Sequence, residues 1–460
     1  MSEVSPEVAP ATLAGDAPPD PPAEWATADP RPAPTSAAGR LYAVVWRWHF
    51  YAGLITAPIL WVITLTGALY VFRTELAAWR DRPLLVVEPQ AGRLGYDALQ
   101  EIAARALGAD RFDAVAFTGE PDRSVAFVAE QGGGGDHGAE HRHRRVFLDP
   151  YTGEVLGSRI DEEDFFAAVL SLHRSLMMGT KGRVLGELAT SWGLILLATG
   201  VFLWWPRGKS NVGVWAPRLR GKPYAVLRDW HAVAGAYLVP ATAIAAGTGL
   251  FFSAVWGTGF NTTVQKAGHW APAWFSDAPS APPTPGAPPA SLDRLVATVL
   301  EHIRPGDEAT LALSPSPDVA HKAWLIRDDD KNTYRMVSVD RYSARAIEVV
   351  DAAELPLLYR VRLWAVSIHM GKIFGTPTKI LALVASLALF GLSATGVWMW
   401  WVRRPRGRSG FPRRPPPRSL PRWGWAVLVA AGALMPVAGA SMILVGALDL
   451  AGSTIRRRIG

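Results

Sequence analysis

The chain has 460 residues, of which 49% are hydrophobic and only 19% are charged, with a formal net charge of +7. Soluble domains average about 25% charged residues, and here the apolar excess lies in five charge-free stretches. A wholly soluble protein is therefore excluded, and the lipid bilayer is an expected partner; no nucleic-acid partner is expected. The absence of Cys excludes disulfides, thiolate-ligated iron–sulfur clusters and covalently attached c-type haem.

The fold class predicted is an α-helical polytopic membrane protein with about five transmembrane (TM) helices, two periplasmic α+β domains and an internal duplication. The predicted segments, in chain order, are a disordered Pro- and Ala-rich tail at 1–39, TM1 at 40–73, a first α+β domain at 74–163, a His-bearing helix and TM2 at 164–206, a basic loop at 207–228, TM3 at 229–257, a Pro-rich spacer at 258–290, a second α+β domain at 291–353, a His-bearing helix and TM4 at 354–403, an Arg- and Pro-rich loop at 404–422, TM5 at 423–450 and a C-terminal tail at 451–460.

Helix length supports the spans. The stretch from Phe50 to Phe72 has 23 residues without a charge. As a helix it is about 35 Å long, against a hydrocarbon core of roughly 30 Å. The fifth predicted span runs from Trp423 to Leu448.

Charge in the short loops predicts the orientation. Residues 206–228 carry six basic and no acidic side chains, and residues 403–422 carry eight Arg and no acid. Basic loops stay in the cytoplasm, so the N-terminus is predicted inside and both α+β domains in the periplasm of a bacterial inner membrane. Five spans then put the C-terminus outside, where the Arg456–Arg458 run opposes the rule.

The α+β domains are predicted from order and pattern. Residues Tyr96 to Leu107 look helical, and three strand-like runs follow before residue 149. Residues Leu292 to Ile303 look helical in the second connection, and three strand-like runs follow before residue 340. Each connection therefore predicts its own small domain.

The chain repeats itself. The segment WRWHFYAGLITAP at 46–58 resembles LRDWHAVAGAYLVP at 227–240, which aligns His49 with His231. SLHRSLMMG at 171–179 resembles SIHMGKIFG at 367–375, which aligns His173 with His369. ATGVFLWWPR and ATGVWMWWVR follow, each starting 25 residues after its His. The two units share an orientation, so a pseudo-twofold axis along the membrane normal is expected.

These four His are the candidate cofactor ligands. A lone His at a membrane edge is more often an interfacial polar residue, but recurrence as two pairs at matched depth favours a functional site. A pseudo-twofold axis brings each pair face to face, as axial ligation of a b-type haem requires. We therefore predict one or two haems b, with iron bound by His49, His231, His173 and His369. A His/Met axial set using Met177, Met178 or Met370 is the alternative.

Several other polar residues have both a structural and a functional interpretation. The DHGAEHRHRR segment carries His137, His141 and His143, and either binds a metal or is a Gly-flanked insertion between strands. Arg73, Glu75 and Arg183 either serve haem propionates or simply flank the spans. For each of these three residues, a position at the end of a span without a binding role is the preferred interpretation. No catalytic residue is assigned.

These motifs resemble the PepSY-associated transmembrane family of bacterial inner-membrane proteins. VFLDPYTGEVLG at 146–157 resembles the terminal strand and turn of a PepSY domain, and WRWHFYAGL, LHRSLMMG, RDWHAVAG and LWWPR resemble the span-associated motifs. VSVDRYSARAIE at 337–348 keeps Asp340 but lacks the Pro-Tyr-Thr-Gly turn. The resemblance covers about residues 40–450. It implies haem ligation by the same four His and a link to ferric-siderophore reduction.

The leading hypothesis is electron transfer across the inner membrane, from a quinol or cytoplasmic reductase through haem b to periplasmic ferric chelates or siderophores, in iron uptake. No dinucleotide-binding fingerprint is present, so a partner must donate the electrons. The alternative is a non-enzymatic PepSY binding or inhibitory module anchored by the spans. A transporter ranks third, because no predicted span carries a buried charge.

Overall fold

The computed structural model describes residues 37–109, 111–131, 142–207, 211–270, 278–282, 284, 286–405, 407, 409–412 and 421–459. Nearly all of the predicted disordered tail, and the His137 and His141 positions, lie outside these residues. The helices and strands below are numbered in chain order.

Four helices are long and apolar enough to cross a membrane. They are α1 (Ala37–Tyr70), α6 (Gly179–Trp204), α7 (Pro223–Gly249) and α11 (Thr376–Arg403). Helix α1 packs against α6 and α11, and α7 packs against the same two helices, so the four form a closed bundle. Helices satisfy their own backbone hydrogen bonds, which is why such apolar segments cross lipid in this form.

The segment predicted as TM5 does not form one long helix. Helix α12 (Arg422–Leu434) ends at Met435, and α13 (Pro436–Ile459) begins with a proline, which cannot continue the preceding helical hydrogen bonds. A Cβ built on Gly432 would lie 3.2 Å from the Gly439 Cα, whereas a straight helix separates residues seven apart by about 10 Å. The chain turns back at Met435. The prediction of five spans is therefore not confirmed: among the described residues, four helices are long and apolar enough to cross a membrane, and a helical hairpin follows them in place of a fifth.

A short helix precedes each returning span. Helix α5 (Phe165–Ser175) begins where the Asp164 carboxylate accepts the Phe166 N–H at 2.8 Å, which caps its first turn. Helix α10 (Leu357–His369) occupies the corresponding place before α11. Two further short helices, α2 (Arg73–Arg80) and α3 (Arg82–Leu85), follow α1. Helix α8 (Trp256–Lys266) lies within the predicted spacer, which is therefore partly helical.

The two long connections build one antiparallel sheet of eight strands. Its order is β4-β3-β2-β1-β5-β6-β7-β8. The strands are β1 (Ala114–Thr118), β2 (Val125–Gln131), β3 (Arg142–Leu148), β4 (Val155–Ile160), β5 (Asp307–Ala312), β6 (His321–Arg327), β7 (Arg335–Val339) and β8 (Ala346–Asp351).

The structure differs here from the prediction of two separate domains. Strands β1 and β5 pair directly, with Val115 opposite Leu311, and join the two halves edge to edge. Helices α4 (Tyr96–Leu107) and α9 (Leu292–Leu300) cover one face of both halves with a shared apolar core. Pairing two inner edges removes two exposed strand edges, which explains why the halves merge.

Ion pairs connect the sheet to the membrane helices. Asp329, in the turn between β6 and β7, pairs with Arg73 after α1 and with Lys372 before α11, the latter at 2.7 Å. Glu75 pairs with Lys379 in the first turn of α11. On the face of the sheet opposite α4 and α9, α10 packs against β7 and β8 through Leu363. The sheet is thus held at the end of the bundle opposite the two basic loops.

Candidate functional site

The four His predicted as ligands form two pairs inside the bundle. The imidazole ring centres of His49 and His231 are 6.3 Å apart, and their planes are nearly perpendicular at 89°. The ring centres of His173 and His369 are 6.1 Å apart, with an angle of 43° between the planes. Each pair joins residues that the sequence repeat aligns.

Each pair lines its own cavity between α1, α6, α7 and α11. The loop-side cavity contains His49 and His231 and has a volume of about 470 Å³. The sheet-side cavity contains His173 and His369 and has a volume of about 310 Å³. Both lie within the range of ligand sites, and both are lined mainly by apolar side chains. Leu60, Gly193 and Leu389 line both cavities, so the two spaces adjoin within the bundle.

Hydrogen bonds fix the protonation of the loop-side pair. His49 Nδ1 lies 2.9 Å from Thr199 Oγ1, and His231 Nδ1 lies 3.0 Å from Thr395 Oγ1. Each Thr hydroxyl donates its own hydrogen to a backbone carbonyl one turn earlier, Ile195 and Gly391 respectively. With its own hydrogen directed to the carbonyl, the Thr oxygen accepts from the imidazole, so Nδ1 carries a proton. The apolar surroundings disfavour a second proton on the ring, and Nε2 then keeps a free lone pair.

The sheet-side pair is fixed in the same way by backbone carbonyls. His173 Nδ1 donates to Ile63 O at 2.9 Å, and His369 Nδ1 donates to Ala245 O at 2.9 Å. A carbonyl only accepts hydrogen bonds, so Nδ1 carries a proton in these two rings as well. The apolar surroundings disfavour a second proton, which would make the ring cationic, and Nε2 is then the unprotonated nitrogen. Partners of this type hold metal-binding His in one tautomer and orientation. All four rings thus make the Nδ1 hydrogen bond that is typical of metal-binding His.

The ring separations fit two imidazoles on one iron. An imidazole nitrogen lies about 2.0 Å from a first-row metal ion and the ring centre about 1.1 Å beyond it, so two opposite ligands have centres about 6.2 Å apart. The observed separations are 6.3 and 6.1 Å. The donor set, two neutral imidazoles in an apolar cavity, matches axial ligation of haem b.

Glycines stand beside every one of these rings. A Cβ on Gly67 or Gly249 would lie 3.0 Å from Cε1 of His173 or His369, closer than ordinary contact. A Cβ on Gly200 or Gly396 would lie 3.5 or 3.6 Å from Cε1 of His49 or His231. Small residues here leave room for the ring and for a flat group against it.

Of the three charged residues that the sequence suggested as propionate partners, the structure places one in a cavity lining and two elsewhere. Arg73 and Glu75 are occupied by Asp329 and Lys379, so they join the sheet to the bundle instead of lining a cavity. Arg183 does line the sheet-side cavity, together with Arg174, Lys372 and Glu187. Glu187 is 2% exposed, which corrects the expectation that no span carries a buried charge.

The alternative ligands are not assembled into a site. Met370 lines the sheet-side cavity, but Met177 and Met178 are more than half exposed. His143 pairs with Glu162 at 2.7 Å on the sheet surface, and this carboxylate raises the His143 pKa. Within the described ranges there is no cluster of three or more His, Cys, Asp or Glu able to hold a metal ion.

Sequence reasoning missed the second partners of the His rings, although their signal was present. The repeated Ala-Thr-Gly motif contains Thr199 and Gly200 in one copy and Thr395 and Gly396 in the other. Both members of each motif contact the His of the loop-side pair. The repeat therefore marks a binding site as well as a span.

Comparison with known families gives one match that covers most of the chain. The model of a family described as the PepSY-associated TM region matches residues 46–403. A comparison with curated proteins finds no significant match. The matched range begins three residues before His49 and ends at the last residue of α11, so it contains both cavities.

Proposed function

Since the chain belongs to the PepSY-associated transmembrane family, we propose that it binds two b-type haems, one on each His pair, and transfers electrons through the membrane to ferric chelates. The observation that carries this proposal is the spacing of two neutral imidazole pairs, 6.3 and 6.1 Å between ring centres, in adjoining apolar cavities. Haem b, when bound, supplies an iron centre that accepts and gives up one electron at a time.

The residues of the chain supply binding and environment. The four Nε2 atoms bind iron, while the Nδ1 hydrogen bonds to Thr199, Thr395, Ile63 O and Ala245 O hold the rings in register. Apolar walls exclude water and lower the local dielectric, which tunes a haem's reduction potential. No hydride or proton-transfer group is needed at either pair.

The adjoining cavities support passage of electrons from one end of the bundle to the other. Haems confined to opposite membrane edges would be roughly 30 Å apart, which is too far for one fast step. Leu60, Gly193 and Leu389 separate the two spaces as a shared wall. The two His pairs would hold their haems in these adjoining spaces, so no aromatic relay would be required.

Charge supports an orientation with the basic loops in the cytoplasm and the sheet in the periplasm of a bacterial inner membrane. The hairpin of α12 and α13 returns the chain to the side on which α12 begins, next to the Arg-rich loop. The C-terminal Arg456–Arg458 run is then cytoplasmic. This arrangement removes the conflict with the charge rule that five spans created.

The direction of transfer follows from this orientation. A quinol or a cytoplasmic reductase gives electrons at the loop-side pair, and a periplasmic ferric chelate or siderophore receives them near the sheet-side pair. Reduction of iron(III) to iron(II) in the chelate would take one electron, which a haem held by His173 and His369 would supply. The activity proposed is therefore ferric-chelate reduction in iron acquisition.

Reoxidation of purified, prereduced protein by a ferric chelate tests this function. We expect the ferrous haem bands to disappear on adding ferric citrate or a ferric hydroxamate under anaerobic conditions, with one iron(II) formed for each haem oxidised. His369→Ala should abolish fast reoxidation, whereas His269→Ala, a change at an exposed His on the sheet side of the bundle, should leave it unchanged. Haem that stays reduced in excess chelate would exclude this substrate class and favour the role of an anchored binding module.

A further inference from the structure

The polar lining of the sheet-side cavity is unbalanced in charge. Among the described residues that line it, three carry a positive charge, Arg174, Arg183 and Lys372, and one carries a negative charge, Glu187. The His pair there is neutral by the hydrogen-bond argument above. The mouth of the cavity therefore holds an excess of positive charge.

Two of these four groups already have partners. The carboxylate oxygens of Glu187 accept the N–H groups of Val255 and Trp256 at 2.7 and 2.9 Å, which caps the start of α8. Lys372 Nζ lies 2.7 Å from the Asp329 carboxylate and 3.0 Å from Asp328 O. Among the described residues, Glu187 forms no ion pair within 4.0 Å with either of the two guanidinium groups.

The two Arg side chains lack a carboxylate partner in the part of the chain that the structure describes. Arg183 donates one terminal nitrogen to Phe252 O at 3.0 Å and Ser253 O at 3.3 Å, and its Nε is buried without a partner. Arg174 follows His173 directly at the end of α5 and makes no ion pair. Arg174 and Arg183 line the same cavity as the His pair.

Two adjacent cations without a counter-charge are unfavourable next to an apolar space. The Arg183 guanidinium, whose Nε is buried without a partner, loses hydration that an anion would replace, whereas Arg174 is exposed at the same cavity. Carboxylates match the geometry of a guanidinium with two parallel hydrogen bonds. Apart from these groups, the His pair and a few hydroxyl side chains, the described lining of the cavity is apolar. Its preferred ligand is therefore a large flat apolar group that carries two carboxylates on one edge.

We propose that Arg174 and Arg183 bind the two propionate groups of the haem held by His173 and His369. This inference rests on the proposed function and deepens it, because it assigns one end of the sheet-side cavity to the carboxylate edge of the ligand. The sequence candidates for this role were Arg73, Glu75 and Arg183; the structure keeps Arg183 and replaces the other two by Arg174. Positive charge beside the haem also stabilises the ferrous state, so the pair raises the reduction potential.

A comparison of haem with its dimethyl ester tests the assignment. Apo-protein carrying His49→Ala, which leaves only the sheet-side pair intact, is titrated with protohaem and with protohaem dimethyl ester. Hydrogen bonds to charged groups contribute about 1.5–3 kcal/mol each, so protohaem should bind at least tenfold more tightly than the ester. Arg174→Gln with Arg183→Gln should bind both forms equally and lower the midpoint potential of bound protohaem. In protein that keeps both Arg residues, the ester should bind about as weakly as protohaem binds to the double Arg variant.

The matched control is Lys181→Gln, which removes an exposed cation on the same helix as Arg183 but outside the cavity lining. It should keep the preference for protohaem. If the double Arg variant keeps both the preference and the potential, the propionate assignment is wrong although haem binding stands. The assignment is also wrong if the double variant binds haem normally but reaches half-maximal chelate reduction only at a higher concentration of an anionic ferric chelate. In that case the two cations bind the substrate. Failure of both haem forms to bind at all refutes the proposed function itself.

Discussion

Replacing Gly249 by Ala tests whether the packing around His369 leaves space for an additional methyl group. A Cβ at this position would lie 3.0 Å from Cε1 and 3.4 Å from Nδ1 of His369. Ordinary contact begins at 3.4 Å, so the ring must move by about 0.4 Å. The ring has little freedom, because Nδ1 donates to Ala245 O at 2.9 Å and the ring of Phe252 lies 5.3 Å away on centres.

The expected cost follows from overpacking. Adding a methyl group to a filled site costs about 1–3 kcal/mol, which corresponds to a loss of about 5- to 150-fold in haem affinity. Titration of apo-protein with haem, with His49→Ala as the background, measures this affinity at the sheet-side pair alone. The haem-to-protein ratio after purification should fall in parallel.

Gly247→Ala is the matched control. It lies two residues earlier on α7, and a Cβ there would meet no atom within 4 Å. Ala is favoured over Gly in a helix interior by roughly 0.5–1 kcal/mol, so this variant should be as stable as the parent or slightly more stable and should keep its haem. Equal haem affinity in the Gly249→Ala and Gly247→Ala variants would refute the close fit of His369 and the role built on it.

Three further results are expected. Thr395→Val removes the hydroxyl that accepts the His231 Nδ1 proton and should weaken haem binding at the loop-side pair by about 10- to 100-fold in titrations; unchanged affinity would contradict the assigned tautomer. Burial lowers the pKa of His321 in β6 to about 4, below the unfolded value near 6.5, so stability should fall by roughly 3 kcal/mol as the pH drops between these values, and thermal unfolding of His321→Gln should lack that loss. The chain has no Cys, so Leu219→Cys and Ser453→Cys each introduce a single thiol. Both thiols should react with a membrane-impermeant reagent from the same side of the membrane; reaction from opposite sides would support a fifth span.

The membrane part of the fold is largely readable from the sequence, because length and absence of charge decide which segments enter lipid. Helices α1, α6, α7 and α11 lie where charge-free stretches predict them. The exception is the C-terminal segment, whose composition alone is that of a span. Its reversal depends on the local backbone at Met435 and Pro436 and on the close approach of Gly432 to Gly439, which hydropathy does not report.

The sheet shows where local patterns stop being sufficient. Helix α4 and strand β7 have the predicted starts and ends, since amphipathic and β-branched patterns are local. The outer strands β4 and β8 were missed, because each mixes exposed and half-buried residues at an edge. The pairing of β1 with β5 joins residues nearly 200 positions apart, and no pattern within either half contains that information.

The candidate site divides in the same way. The four His were predicted because the repeat aligns them in pairs, and the structure brings each pair together. The partners Ile63 O and Ala245 O could not be predicted, because a backbone carbonyl has no residue signature. Arg174 was overlooked for a related reason: its significance lies in lacking a carboxylate partner, which only the three-dimensional arrangement reveals.

The most direct test of the account is the haem content of purified full-length protein and of its single His variants. The account predicts two six-coordinate, low-spin b-type haems per chain by optical and electron paramagnetic resonance spectroscopy. His49→Ala or His231→Ala should remove one of them, and His173→Ala or His369→Ala the other, each leaving the signal of the remaining haem unchanged. Colourless protein from haem-replete cells that also fails to take up added haem, or four variants with undiminished haem, would contradict the central claim.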